Sequence, residues 1–447
     1  MRIVIIGAGA VGYHLSAKFS DEGHDVVLVD REAAKLNRLE RELNVLPVCG
    51  SGASIKVLEE AGIERADLLV AVTNSDEVNL VACIISRNYK IKTRIARVRN
   101  EDFYSQNTAL NEEALGIDLL ISPDRAIGDE ILRLSTLSGA FESAEFAHGQ
   151  VILLGYTVAA GNSNIGKSLL ELKGIMGVIV AIIRQEKTII PRGGDIIQAE
   201  DRIYMVARKS DMSSTSGLVH LMSREPKEVF IIGGGAIGFM VARQMEQKKV
   251  NVRLIEQDAG RCDFLAENLN NTTVLNVDGL DAHSLLDEGL DQADLVIAVT
   301  DSDETNLLAS LLAKHHGAGK CITRISRPDF VPLLAKLGID VALSPRQVAA
   351  NMILRFVRTG GTIVSAASLL GSDAEVVELK VPNTDKFRHA TLQSLNFPKG
   401  AVLGAVVRNK KHRVIIPIGT TRLRPGDNLV IFALREAVQE VADFFAP

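Results

Sequence analysis

Met1-Arg2-Ile3-Val4-Ile5-Ile6-Gly7-Ala8-Gly9-Ala10-Val11-Gly12 runs from an apolar stretch into a glycine-spaced turn and then into helical spacing. The apolar run is too uniform for a strand with one wet face and fits a parallel strand covered on both sides. Gly7, Gly9 and Gly12 make the G-x-G-x-x-G fingerprint in the setting that gives it meaning, after a strand and at the start of a helix. In such a turn Gly7 permits the tight bend, Gly9 admits a pyrophosphate to the backbone N–H groups, and Gly12 lets helix and strand touch. The first helical turn, with Ala10 and Val11, adds its partial positive charge. Asp30 closes the second strand, 18 positions after Gly12 (30 − 12). A carboxylate there accepts from both ribose hydroxyls and repels a 2′-phosphate, which favours NAD over NADP.

Working outward, the chain repeats itself. RIVIIGAGAVG, VVLVD, AVTNSDEVNL and RIARVRN in the first half are answered by EVFIIGGGAIG, VRLIE, AVTDSDETNL and TRISRPDF in the second. Gly7 pairs with Gly233, Asp30 with Glu256, Thr73 with Thr300, Asn79 with Asn306 and Arg97 with Arg324. Farther on, LLISPDRAIGDEILRL (119–134) matches VALSPRQVAANMILRF (341–356), and the stretches 177–206 and 400–432 match with Pro191 on Pro417 and Asp201 on Asp427. A large unit, a small unit, and both again is the order. We expect domains at 1–140, 141–225, 226–360 and 361–447, with the polar stretch 209–226 joining the halves.

Each large unit alternates strands and helices. Strands fit 2–6, 25–29, 44–48, 67–72, 92–97 and 117–121, with helical spacing at 54–61 and 77–88. The fold class that follows is α/β: two doubly wound parallel-sheet, Rossmann-like domains, each followed by a small α+β domain. The small unit reads as alternating strands with one short helix at 165–173.

Composition narrows the function classes. A formal charge of −5 lacks the basic excess of a nucleic-acid binder, and the basic run 408–413 reads as a solvated hairpin turn. Four scattered cysteines form neither a disulfide framework nor a zinc site, which suits a reducing compartment. No apolar run reaches the length of a membrane span, and the N-terminus enters a strand at once, so a cytosolic protein is expected.

The chemistry-bearing residues cluster at predicted strand ends. Thr73 and Asn74 follow the fourth strand and offer hydrogen bonds to ribose or phosphate, as do the Thr and Asn positions of the whole TNSDEVN turn through Asn79. Asp76 and Glu77 read equally well as first-turn residues of a helix. Cys49-Gly50-Ser51-Gly52 suits an adenine edge, and Arg97 either reaches phosphate or is solvated. The second half carries Gly233, Gly234, Gly235, Ala236, Ile237, Glu256, Asp278, Thr300 and Arg324 at the matching places. Gly161 to Ser168 spells a phosphate-loop motif, but its short helix stops at Gly174 in a mostly β unit, and 386–392 carries no Gly-Lys pair. We read that motif as coincidence. No catalytic set is evident: His148 and His220 are not repeated, His315 and His316 close a helix, and no metal-ligand spacing appears. An NAD-dependent oxidoreductase is the alternative to a binding protein, and an ATPase using Gly166-Lys167-Ser168 a more distant one.

At the GAGAVG, VVLVD, AVTNSDEVN and RIAR series, followed by IIPRGGDIIQAEDRIYMV and the whole arrangement again, the chain resembles the TrkA-type regulators of Trk potassium uptake, built from tandem RCK domains. The resemblance spans nearly the entire chain. It implies a cytoplasmic homo-oligomer, a ring of four, docked at the inner face of the membrane on an integral-membrane, TrkH-like potassium transporter subunit. It also implies NAD(H) and ATP or ADP in the crevices. Carried over, the first site uses Gly7 to Val11, Asp30, Thr73, Asn74 and Arg97, and the second Gly233 to Ile237, Glu256, Thr300 and Arg324. The second copy departs at Glu256 and at Val277-Asp278, where the first has Gly50-Ser51.

Overall fold

A computed structural model describes residues 1–104, 112–137, 139–147, 149–172, 176–185, 187–214, 225–327, 330–358, 363–368, 373–388, 390–408 and 413–446. His148, Gly174, His220, His389 and the basic turn at 409–412 lie outside the described residues, as does much of the 209–226 junction.

The first sheet comprises β1 (Arg2–Ile6), β2 (Asp25–Asp30), β3 (Leu46–Cys49), β4 (Leu68–Ala71), β5 (Thr93–Arg97) and β6 (Leu119–Ile121), all parallel, in the order β3-β2-β1-β4-β5-β6. Each strand lies within two residues of its expected bounds. Alternation along the strands feeds two cores. Ile3, Ile5, Val26, Leu28, Leu68 and Val70 point to one face; Val4, Ile6, Val27, Val29, Leu69 and Ala71 point to the other. That is why the run has no polar phase.

The small sheet β7 (Ala140–Phe146), β8 (Val151–Thr157), β9 (Gly177–Arg184), β10 (Lys187–Ile189) and β11 (Arg202–Arg208) is antiparallel, in the order β10-β9-β11-β8-β7. The second half repeats both. β12 (Glu228–Ile232), β13 (Asn251–Glu256), β14 (Thr272–Asn276), β15 (Leu295–Ala298), β16 (Lys320–Arg324) and β17 (Val341–Leu343) form a parallel sheet of order β14-β13-β12-β15-β16-β17. β18 (Ile363–Ser368), β19 (Ala374–Lys380), β20 (Ala401–Arg408), β21 (Arg413–Ile415) and β22 (Asn428–Leu434) form an antiparallel sheet of order β18-β19-β22-β20-β21. One tandem repeat of two sheet types results, as the fold class required. No described helix is long and apolar enough to cross a membrane.

The short helix expected at 165–173 is a correction: one 3-10 turn, Leu169–Glu171, stands there. Ser168 and Glu171 cap each other across that turn, and an isolated bridge between Ser168 and Ile196 ties it to the loop between β10 and β11. The phosphate-loop look-alike ends here: Lys167 Nζ donates to Asn164 Oδ1 at 3.1 Å, and Ser168 Oγ donates to Glu171.

In space the chain forms two compact units, Met1–Ile127 with Ser344–Val357, and Gly128–Leu343 with Arg358–Pro447. In the first unit, Ala349, Ala350, Ile353 and Leu354 of the helix Pro345–Arg358 complete the core beside Leu15 and Phe19. In the second unit Gly128 comes close to the second large sheet's helix Ala236–Glu246, so close that a Cβ on it would fall 1.7 Å from Met240 Cε. Lys320, at the start of β16, then donates to the carbonyls of Leu134, Leu137 and Ala140 at 2.7, 2.8 and 2.9 Å. The two small sheets of this unit share one core, in which Phe146, Leu153, Val180 and Tyr204 meet Val376, Ala405, Val430 and Phe432.

Candidate nucleotide-binding crevices

The first crevice opens where β1 and β4 diverge, at the carboxyl ends of the strands. Gly7 bends with φ +108°, and a Cβ on it would stand 2.9 Å from Thr73 N. A Cβ on Gly12 would stand 1.8 Å from the Gly7 carbonyl oxygen, so the helix Ala10–Asp21 can approach the turn only without one. Gly9 differs: it is the N-cap, and its Cβ position faces open space with nothing within 4 Å. The open side therefore leaves the helix N-terminus, a place suited to anions, accessible from the crevice.

Asp30 holds the turn from the other side. Its Oδ2 accepts from Ala8 N at 2.6 Å and its Oδ1 from Glu32 N at 2.9 Å. Two carboxylate oxygens keep further lone pairs for hydroxyl donors. The cavity measures about 350 Å³, and its wall includes Gly7, Gly9, Asp30, Gly50, Thr73 and Asn74. Ala8, Ala10, Val11, Ser51 and Arg97 are not on that wall. Ala8 faces Asp30 through its N–H, Ala10 and Val11 form the first helical turn, and Ser51 Oγ accepts from Arg31 Nη2 at 2.9 Å. Arg97 backs the rim: its Nη1 donates to Asn74 Oδ1 at 3.0 Å and to the Thr73 carbonyl at 3.4 Å.

Asn79 does not offer hydrogen bonds to a ligand. It is fully buried: Oδ1 accepts from Thr73 N and Thr73 Oγ1 at 2.9 and 2.7 Å, and Nδ2 donates to the carbonyls of Thr73 and Arg97 at 3.1 and 2.8 Å. It clamps the end of β4 to the end of β5. The helix that follows, Asp76–Ser86, is capped by Ser75 Oγ, which accepts from Val78 N. Asp76 accepts from the N–H groups of Arg99 and Asn100, and the Ser75 hydroxyl holds the Glu77 carboxyl below its ordinary range. These two carboxylates order the loop and are not aimed at the crevice.

The second half reproduces this framework. Gly233 has φ +109°, Gly235 is the N-cap of the helix Ala236–Glu246 with Ile237 in its first turn, and Gly234 N donates to Glu256 Oε2 at 2.8 Å. Asn306 clamps Thr300 to Arg324 as Asn79 clamps Thr73 to Arg97. Its surroundings differ. Asp278 Oδ1 accepts from Leu280 N, and Arg324 Nη1 pairs with Asp301 Oδ1 at 2.9 Å. Arg261 Nε donates to the Gly234 carbonyl at 2.7 Å, with its guanidinium 4.5 Å from the Phe264 ring centre. The matching residue of the first half, Lys35, is drawn to Glu32 instead. Neither Arg261 nor the Asn79 and Asn306 clamps were read from sequence; the doubled asparagine at one offset was the available signal.

Among the described residues no group of acidic, histidine or cysteine side chains could hold a metal. Cys83, Cys262 and Cys321 are buried, and burial pushes the thiols of Cys83 and Cys321 up to about 12.

Comparison with known proteins agrees with this architecture. The TrkA-N domain model matches residues 3–123 and 229–345, and the TrkA-C domain model matches 153–219 and 376–446. The chain is 36% identical to the Trk system potassium uptake protein TrkA homolog 1 of Methanosarcina mazei over the whole of both chains. It is 34% identical to the Trk system potassium uptake protein TrkA of Halomonas elongata, over all of this chain and 98% of that one. Among solved structures, the GsuK RCK domain shares the fold at a TM-score of 0.61 and 20% identity, covering 99% of this chain and 95% of that one. The GsuK channel bound to NAD matches at a TM-score of 0.61, covering 99% and 79%. With two TrkA-N and two TrkA-C domains in alternation and full-length identity to curated relatives, the chain belongs to the TrkA family of Trk-system potassium uptake proteins.

Proposed function

We propose that this chain is a nucleotide-sensing regulatory subunit that binds NAD(H), and ATP or ADP, and gates a membrane potassium transporter. One observation carries the reading: a glycine turn whose single open Cβ position, at Gly9, faces a crevice rimmed by Asp30 and Thr73. The pyrophosphate rests on the N–H groups at the start of the helix Ala10–Asp21, and Asp30 takes the adenosine ribose. Gly235 and Glu256 do the same in the second half. The partner is a TrkH-like integral-membrane subunit, and the chain works as a homo-oligomeric ring of four at the cytoplasmic face, reaching the membrane only through that partner.

Sensing is favoured over catalysis by the wall on the β4 side, where Thr73, Asn74, Ser75 and Val78 offer no group that titrates near neutral pH to exchange a proton with a substrate. A ligand shifts the ring only by its difference in affinity between two states, typically about 1–3 kcal/mol. Isothermal titration of NADH, NAD, ATP and ADP into the wild type, Asp30→Ala and Glu256→Ala tests the reading. Binding should fall at least tenfold in the crevice whose acid is removed; binding untouched by either change refutes the site. Saturable cofactor reduction with a small metabolite would instead establish the oxidoreductase.

A further inference from the structure

The two crevices share the bonding of their threonine clamps, and one of the formal charges by which they differ stands at the corner just beyond the clamp. Thr73 and Thr300 end β4 and β15 and are clamped by Asn79 and Asn306 through the same four bonds. Behind each stands an arginine whose Nη1 donates to the threonine carbonyl. The next residue is Asn74 in one crevice and Asp301 in the other. Arg97 Nη1 meets a neutral carboxamide at 3.0 Å, whereas Arg324 Nη1 meets a carboxylate at 2.9 Å. At that corner one guanidinium meets no carboxylate among the described residues, with Asp76 and Asp124 acting on it from farther off, whereas the other is ion-paired directly.

A dinucleotide lies across a doubly wound sheet with one mononucleotide on each side of the strand-order reversal. Asp30 and Glu256, ending β2 and β13, fix the adenosine ribose, so the other half lies over β4–β5 in one crevice and β15–β16 in the other. Asn74 and Asp301 stand on that side. The oxidised nicotinamide ring carries a positive charge that the reduced ring lacks.

Resting on the proposal that the crevices hold dinucleotides, we infer that Asp301 is a specificity-determining residue through which the second crevice selects the oxidised dinucleotide, while Asn74 leaves the first crevice without that selection. At the dielectric of water, which suits an exposed carboxylate, a unit charge about 3–6 Å from the ring changes a binding constant by roughly three- to tenfold. Asp301 is fully exposed, so the preference shrinks as ionic strength rises.

The test uses full-length protein with one crevice disabled. In an Asp30→Ala background, calorimetric titration of NAD and NADH reads the second crevice, and Asp301→Asn should lower the NAD-to-NADH affinity ratio roughly three- to tenfold. In a Glu256→Ala background, Asn74→Asp should raise the ratio of the first crevice by a similar factor. A ratio that stays fixed while overall affinity moves overturns the inference, because a merely structural role for the ion pair would do that. No binding of either dinucleotide to the wild type overturns the reading of the crevices themselves, and this inference with it.

Discussion

Replacing Lys320 with methionine keeps the shape of a half-buried side chain and removes its ammonium. Leu134, Leu137 and Ala140 then lose the donor that satisfies their carbonyls. A hydrogen bond to a charged group contributes about 1.5–3 kcal/mol net, so three contribute about 5 kcal/mol. Against this, burial pushes the ammonium down to about 8 from an ordinary 10.5, with Asp340 opposing. Holding it charged below that pH costs about 3 kcal/mol at 1.36 kcal/mol per pK unit. The balance is a loss of about 2 kcal/mol in Lys320→Met near neutral pH. The sign with pH follows from the lowered folded-state value. Below pH 8 both folded and unfolded chains hold the proton, and the difference from the variant is flat. Between about 8 and 10.5 the unfolded chain binds more protons, so wild-type stability rises relative to methionine, by about 2 kcal/mol at pH 9.5. Urea unfolding of both proteins at pH 7.5 and 9.5 measures it. A variant as stable as wild type at pH 7.5, with a gap that does not widen at 9.5, refutes the reasoning.

Further expectations rest on single contacts. Gly9→Ala should fold with an unchanged melting temperature, since its Cβ meets nothing, yet weaken nucleotide binding at least tenfold; Gly12→Ala, with a Cβ 1.8 Å from the Gly7 carbonyl oxygen, should lose stability and binding together. Asn306→Ala removes a fully buried side chain, strands the half-buried Thr300 N–H and Arg324 carbonyl, and should cost about 2–3 kcal/mol in urea unfolding. Ile353→Ala opens a void under the first sheet and should cost about 2–4 kcal/mol; a cost below 1 kcal/mol would mean that its helix does not complete that core.

The strands, the glycine turns and the repeat were legible because each is written in local spacing. Ile3 to Ile6 alternate between two cores, and both cores are apolar, so the run reads as continuous hydrophobicity. The acids at 30 and 256 were legible from offset alone. What stayed hidden depends on distant partners. The helical spacing of 345–358 shows an apolar stripe, and nothing in a stripe says which sheet it covers. Lys320 sits at a strand start where Thr93 stands in the first repeat, and only the three converging carbonyls give it a role. Arg97 read as either reaching phosphate or being solvated; that its Nη1 donates to Thr73 and Asn74 depends on a neighbouring strand end and was not legible.

The helix Pro345–Arg358 also dictates when the molecule can become itself. β1 is made about 350 positions before the side chains that seal its sheet, at Ala349 to Leu354. Until then that sheet has one apolar face open, the kind of surface that makes a partly folded chain prone to aggregate. Cutting the gene between the repeats would yield not two working halves but two incomplete ones, each missing a helix that the other carries.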